Sequence, residues 1–313
     1  VTSAPLRVLY VGSWSRSGST LLDLILGQVP GFVSVGELRF LWERGLVERQ
    51  LCGCGVPVPE CPFWRDVLRE AFGGVDAVDP GATLALLERV DGLARLPWLV
   101  APWRPPALDS DLRAFREVLG RLYRAVRAVS GASVVVDSSK YAVYGQLLAG
   151  VPGFDLRVLH LVRDSRAVAY SWTRRTRMPE VPAGERYMPV LPAWRSAAFW
   201  ALEDVALHLL LRSPLHYQVL RYDALTTRPR AALSAALQRI GIAADLEFLQ
   251  DARLTLGPNH TVAGNPLRFR RGDTPIAPDV EWQTRLSPGD RRIVTAITWP
   301  LLIRHGFPLR PGR

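Results

Sequence analysis

Five short runs in this chain are apolar almost without interruption: Leu6–Gly12, Phe32–Val35, Ser133–Asp137, Arg157–Val162 and Tyr217–Arg221. A strand with one wet face alternates apolar and polar residues, whereas a strand covered on both faces need not. Helix-period patterns lie between the runs. The clearest spans 112–129, where Leu112, Phe115, Leu119, Leu122, Val126 and Val129 share one stripe. Others cover 20–28, 166–176, 194–211 and 230–240. Buried strands that alternate with helices require a parallel sheet with crossover connections. The expected fold class is therefore α/β, a five-stranded parallel sheet flanked by helices. A length of 313 residues suits one large domain, taken here as 1–313. Prolines make 97–106 a stiff connector and 178–192 a long irregular loop.

Composition narrows the ligand. No apolar run approaches the ~18 residues of a spanning helix. The first strand-like run starts at Leu6, which leaves no room for a signal peptide, so a soluble, cytoplasmic protein is expected. The net charge is +10, and Lys140 is the only lysine among 39 basic residues. Genomic drift from lysine to arginine codons is the ordinary cause of such a bias. The exception then marks a place where a compact ammonium does what a guanidinium does not. Excess positive charge suits a polyanionic ligand. Nucleic acid is disfavoured, because the arginines are spread along the chain with no dense basic run.

The first strand runs into Gly12-Ser13-Trp14-Ser15-Arg16-Ser17-Gly18-Ser19-Thr20, and a helix starts at about Thr20. A strand, a small-residue loop and a helix start form an anion cradle. Free backbone N–H groups face the ligand, and the helix dipole adds partial positive charge. Ser17, Gly18 and Ser19 permit close approach, Ser19 and Thr20 add hydroxyl donors, and Arg16 adds a forked cation. The loop lacks the lysine of a Walker A motif, and Asp137 is the lone candidate magnesium carboxylate, so a kinase loses weight. A second anchor is Leu161-Val162-Arg163-Asp164-Ser165-Arg166-Ala167-Val168-Ala169-Tyr170-Ser171. Arg163 ends a strand, and Ser171 follows two helical turns later, so both can meet one phosphate.

RSGST followed by LLDLILGQ and VSVGEL resembles the 5′-phosphosulfate loop of sulfotransferases that use 3′-phosphoadenosine 5′-phosphosulfate (PAPS). The bacterial and tyrosylprotein members are the most similar. The arginine-plus-eight-to-serine spacing in LVRDSRAVAYS resembles the family's 3′-phosphate pattern. HTVAGNPLRFRRG, residues 260–272, resembles the segment that closes over that phosphate, with Arg268, Arg270 and Arg271 as candidate contacts. The likeness covers about residues 6–40, 133–173, 215–240 and 258–305. It implies a P-loop-like sulfotransferase fold, PAPS as donor, its desulfated form PAP as product, and no required metal. It leaves 41–130 and 176–195 as insertions for an acceptor pocket and lid. The implied partner is a small-molecule hydroxyl acceptor such as a secondary metabolite, sugar or lipid, and a homodimer stays open.

Sulfuryl transfer needs an acceptor base, a cation for the leaving phosphate and a cradle. Glu37 is the candidate base. It follows the second strand, and it lies 21 residues after Arg16, the separation found between loop arginine and catalytic glutamate in tyrosylprotein sulfotransferases. Lys140 is the candidate leaving-group cation, at the strand end where the family carries a lysine. Ser138 or Ser139 would assist, Ser138 being the weaker of the two. His160 lies inside a strand and His208 on an apolar helix, so neither rivals Glu37. Asp223 in Arg221-Tyr222-Asp223-Ala224-Leu225 is expected to cap a helix, and Asp279 and Trp282 resemble a D-x-x-W used for packing. A P-loop kinase, or a phosphoadenosine-binding protein without turnover, is the alternative.

Cys52, Cys54 and Cys61 supply three of the four ligands that zinc needs, and no histidine lies near them in sequence. No metal site is therefore assigned. A disulfide through Cys61 or buried free thiols are the readings that remain. Trp14, Trp42 and Trp172 flank the motifs and are candidates for an acceptor pocket wall.

Overall fold

The structure, a computed structural model, describes residues 4–101, 103–178, 186–212, 216–249 and 252–310. Strand β1 (Leu6–Gly12) leads into helix α1 (Ser19–Leu26) and strand β2 (Phe32–Ser34). A π-helical segment (Leu41–Val47) and helices α2 (Pro62–Phe72), α3 (Pro80–Val90), α4 (Leu96–Val100) and α5 (Pro106–Ser130) follow. Then come β3 (Val134–Lys140), α6 (Ala142–Ala149), β4 (Phe154–Val162) and α7 (Ser165–Thr173). A two-residue pairing of β5 (Arg177–Met178) with β6 (Arg186–Tyr187) precedes α8 (Ala193–Leu211), β7 (Tyr217–Arg221), α9 (Tyr222–Thr227) and α10 (Pro229–Arg239). The chain ends with β8 (Arg253–Leu256), β9 (Gly272–Pro275), α11 (Trp282–Arg285) and α12 (Pro288–Arg304).

Five strands form one sheet in the order β2-β3-β1-β4-β7, and every pairing in it is parallel. The expected strands are these five, with shifted ends. β3 continues to Lys140, because Ser138 and Ser139 stay in the strand. β4 starts earlier, at Phe154, because Leu6–Gly12 pairs with it along its full length. Alternation along β1 explains the unbroken apolar run. Val8 and Tyr10 enter a core built with α5, α6 and α8, while Leu9 and Val11 enter a second core with α1 and α10. All four are fully buried, and burying such a side chain contributes about 1.5–3 kcal/mol.

The stretch 41–130 joins the larger core. Trp42, Trp64, Phe115 and Leu119 are buried together there. Trp42 packs edge-on against Phe72, so it is a core residue and not a pocket wall. The stiff connector contains the short α4, and the proline at position 106 opens α5. The expected loop at 178–192 falls partly outside the described residues. Its flanks form the β5–β6 pairing.

Candidate functional site

The C-terminal ends of β1, β3 and β4 converge on a cavity of about 460 Å³. Among the described residues its lining carries five cations, Arg16, Arg44, Lys140, Arg163 and Arg174, against two carboxylates, Glu37 and Asp279. Loop 13–18 forms one wall. Gly18 takes φ +93°, and a Cβ there would lie 2.3 Å from the Tyr222 ring. Only glycine lets the loop pass that ring and enter α1. No side chain caps α1. Leu21 and Leu22 N–H donate to Gly18 O, and the N–H groups ahead of them lie before any helical carbonyl can reach them. Arg16, Gly18, Ser19 and Thr20 line the cavity. Ser17 does not, and its buried hydroxyl has no hydrogen-bond partner. The Thr20 hydroxyl accepts from the Asn265 N–H at 3.2 Å, which ties a distant segment across the loop.

Glu37 and Lys140 meet in the cavity wall. The Lys140 ammonium donates to Glu37 Oε1, and both side chains are buried. Lys140 is thus no surface lysine, and the Glu37 carboxylate caps no helix. Two features bring them together. Gly36 (φ +75°) has Val262 O 2.5 Å from where its Cβ would be, so glycine alone allows the bridge that positions Glu37. The Glu37 N–H then donates to Val262 O at 2.8 Å. On the other side Lys140 adopts φ +78°, and Arg16 adopts φ +72°. A non-glycine residue held in the left-handed region costs about 1–3 kcal/mol and recurs at working sites.

Arg163 and Ser171 both line the cavity. The Arg163 guanidinium donates to Asp279 Oδ2 at 2.8 Å and to Arg16 O at 3.1 Å. Its Nε, like Arg16 Nη2, is buried without a partner. These idle cationic donors in a positively charged cavity fit a ligand with phosphate groups. Beyond Arg163, the Asp164 side chain caps α7 and holds the fully buried Arg166 through both carboxylate oxygens. The Asp164–Arg166 pair is thus a buried structural clamp.

Several expected contacts lie elsewhere. Arg268 is fully buried, and its guanidinium donates to Thr261 O and Leu51 O, both at 2.8 Å. Arg271 donates to Gly53 O, and Arg270 is exposed. None of the three lines the cavity. Ser138 faces the buried Asp23 carboxyl, and the Ser139 hydroxyl donates to Asp137. Neither lines the cavity. Asp137, the one candidate magnesium ligand, also accepts from the Tyr123 hydroxyl, and burial pushes its pKa up to about 6. Asp223 pairs with Arg221 and provides no side-chain cap.

His160 is buried in a polar knot with Tyr217, His208, Asp204 and His305, and desolvation lowers its pKa to about 3. None of these groups lines the cavity.

Sequence reasoning missed Tyr222, Tyr141 and Asn265 as lining residues and read Asp279 as packing. Each sits in a loop or helix start where sequence shows only a common residue type. Trp172 lines the cavity beneath the Arg16 cation, 5.1 Å from its ring, with Trp14 stacked behind it at 5.9 Å. Phe40, Met178 and Met188 complete an apolar sector. Of the described residues in 41–130, only Arg44 lines the cavity.

No family model matches the chain, and no curated protein matches it. Solved structures do. A sulfotransferase domain from the curacin biosynthetic pathway superposes with a TM-score of 0.53 and 19% identity, over 98% of this chain and 99% of that one. A sulfotransferase domain from the Synechococcus PCC 7002 olefin synthase superposes with a TM-score of 0.56 and 18% identity, over 95% of each chain. The α/β fold with its five-stranded parallel sheet is thus the fold of bacterial sulfotransferase domains.

Proposed function

We propose that this chain is a PAPS-dependent sulfotransferase that sulfates a hydroxyl of a small molecule. The observation that carries the reading is the buried Glu37–Lys140 pair in the wall of a cavity whose described lining residues include five cations and two carboxylates. A donor with a 5′-phosphosulfate and a 3′-phosphate needs two cationic subsites. The 13–20 loop with Arg16 suits the first. Arg163 and Ser171 suit the second, and Arg268, Arg270 and Arg271 are not among the residues that line the cavity.

In this reading Glu37 takes the proton of the acceptor hydroxyl as its oxygen bonds to sulfur. The sulfur–oxygen bond to the phosphate breaks, and Lys140 stabilises the electron pair left on the phosphate oxygen. A positioned base contributes about 10²–10⁴-fold, and a charge-stabilising donor about 10²–10³-fold. The ion pair keeps the carboxylate and the ammonium on one axis before substrate arrives. Trp172, Phe40, Met178 and Met188 offer an apolar wall to the acceptor. No metal is needed in this scheme, since the transferred group carries little negative charge.

A kinase would require a carboxylate free for magnesium at the end of β3. Asp137 is instead committed to Tyr123 and Ser139. A binding protein without turnover would have no use for the Glu37–Lys140 pair. The test is incubation with ³⁵S-labelled PAPS and pooled hydroxyl-bearing metabolites. Label should move into product with the wild-type chain and stay in PAPS with Glu37→Gln. Transfer of phosphate from ATP, with none of sulfate from PAPS, would favour the kinase.

A further inference from the structure

Cys52, Cys54, Cys61 and His260 bring four ligand atoms within 4.8 Å of one another, although His260 lies about 200 residues away in sequence. Cys61 Sγ is 3.3 Å from His260 Nδ1 and 3.6 Å from Cys54 Sγ, and Cys52 Sγ is 3.9 Å from His260 Nδ1. A tetrahedral zinc with sulfur at about 2.3 Å and nitrogen at about 2.0–2.1 Å has ligand–ligand edges of about 3.5–3.8 Å. The observed separations bracket that range. All three cysteines are free, so of the two readings left open, a disulfide through Cys61 or free thiols, the second holds.

The surroundings are built to aim these four atoms inward. Cys52 and Cys54 sit in a tight turn closed by the Leu51–Pro57 bridge, with Cys52 N–H donating to Val56 O at 2.7 Å. Gly55, at φ +98°, donates its N–H to Cys52 O at 2.8 Å. Cys61 stands at the N-terminus of the 11-residue α2, where the helix dipole favours a thiolate. The next two residues after Pro62 fix the imidazole. Phe63 stacks on the His260 ring at 4.9 Å, and Trp64 Nε1 donates to His260 O at 2.9 Å.

Arg268 accounts for the outer layer. Fully buried, it spans the carbonyls of Leu51 and Thr261, the neighbours of Cys52 and His260. Gly53 N–H donates to Thr261 O at 3.0 Å, and Arg271 reaches Gly53 O. Outer hydrogen bonds that orient the ligand-bearing backbone are the usual company of a metal site.

We propose that Cys52, Cys54, Cys61 and His260 form a tetrahedral structural zinc site that clasps the 51–61 turn to the 259–262 segment. Three thiols and one imidazole suit zinc by ligand type and geometry. All four positions are filled by protein, so no open position exists for catalysis. On binding, the thiols lose their protons to solvent and the imidazole binds through its neutral nitrogen. The clasp ends next to Val262, whose carbonyl accepts from Glu37 N–H and whose N–H donates to Val35 O, each at 2.8 Å. Zinc therefore holds the backbone on which Glu37 is mounted. The assignment stands on its own and does not depend on which reaction the cavity performs.

The test is metal analysis of the full chain purified without chelator, followed by titration of the metal-free chain with zinc and with cobalt(II). One zinc per chain is expected, with cobalt giving thiolate charge-transfer and tetrahedral d–d bands. Cys54→Ser changes the most accessible of the thiols, and it should weaken zinc binding by at least about tenfold with the fold retained. A wild-type chain that stays substoichiometric in zinc after titration, and shows no thiolate–cobalt band, overturns the assignment whatever the variants do.

Discussion

Glu37 and Lys140 couple sequence, strain and chemistry at the scale of single residues. Lys140 is the only lysine in the chain, it adopts φ +78°, and it is buried against Glu37. An arginine would carry the charge but not the compact ammonium geometry. Lys140→Arg should lower kcat by about 10²–10³-fold with little change in stability, and Glu37→Gln by about 10²–10⁴-fold. The double variant should lose far less than the product of the two, because each residue acts through the other. Steady-state kinetics with a fixed acceptor checks this, and multiplicative losses would contradict a coupled pair. The sequence singles out both residues, one by its rarity and one by the resemblance's spacing from the loop arginine, and the structure brings their side chains together. The role of Arg268 was not legible in the sequence. A basic tract reads the same whether its guanidinium meets a phosphate or, as here, two backbone carbonyls.

At the scale of elements, the β1–loop–α1 unit depends on Gly18 and on a buried acid behind it. Gly18→Ala should destabilise the chain by about 1–3 kcal/mol, since the new Cβ is strained at φ +93° and meets the Tyr222 ring. Urea unfolding measures this, and an unchanged midpoint would mean the ring yields freely. Asp23 of α1 faces Ser34 and Ser138, and burial raises its pKa to about 7. The folded state thus favours the protonated acid. Its contribution to stability is complete below the ordinary carboxyl pKa of about 4 and is lost as pH rises through about 7. Asp23→Asn should remove that loss, so its stability relative to wild type should grow by about 2–4 kcal/mol between pH 4 and pH 8. Parallel pH profiles for the two proteins would refute the burial argument. Strand and helix identities were readable because two-sided burial and a 3.6-residue stripe leave clear patterns. Strand ends were not, since β3 runs past its apolar stretch through an irregularity at Ser138 and Ser139 and pairs again with β1 at Lys140.

At the scale of the whole molecule, both sites are assembled from segments far apart in sequence. The cavity joins residues from the N-terminal loop, the ends of β3 and β4, α9 and the 264–279 region. The cysteine cluster acquires its histidine across about 200 positions. Linear spacing carries no trace of that meeting, which is why three cysteines alone looked incomplete. The surplus of cations around the cavity gives a further expectation. Affinity for a phosphate-rich nucleotide should fall steadily with added salt, because screening weakens each exposed cation's attraction. A salt-independent affinity would place the nucleotide elsewhere. The most direct test of the central claim is calorimetric titration with 3′-phosphoadenosine 5′-phosphate, beside ATP with magnesium, for the wild-type chain and Arg163→Ala. The account predicts binding of the bisphosphate at wild-type Arg163, a marked loss in the variant, and no comparable binding of ATP. Binding of ATP in place of the bisphosphate, or of neither, would contradict it.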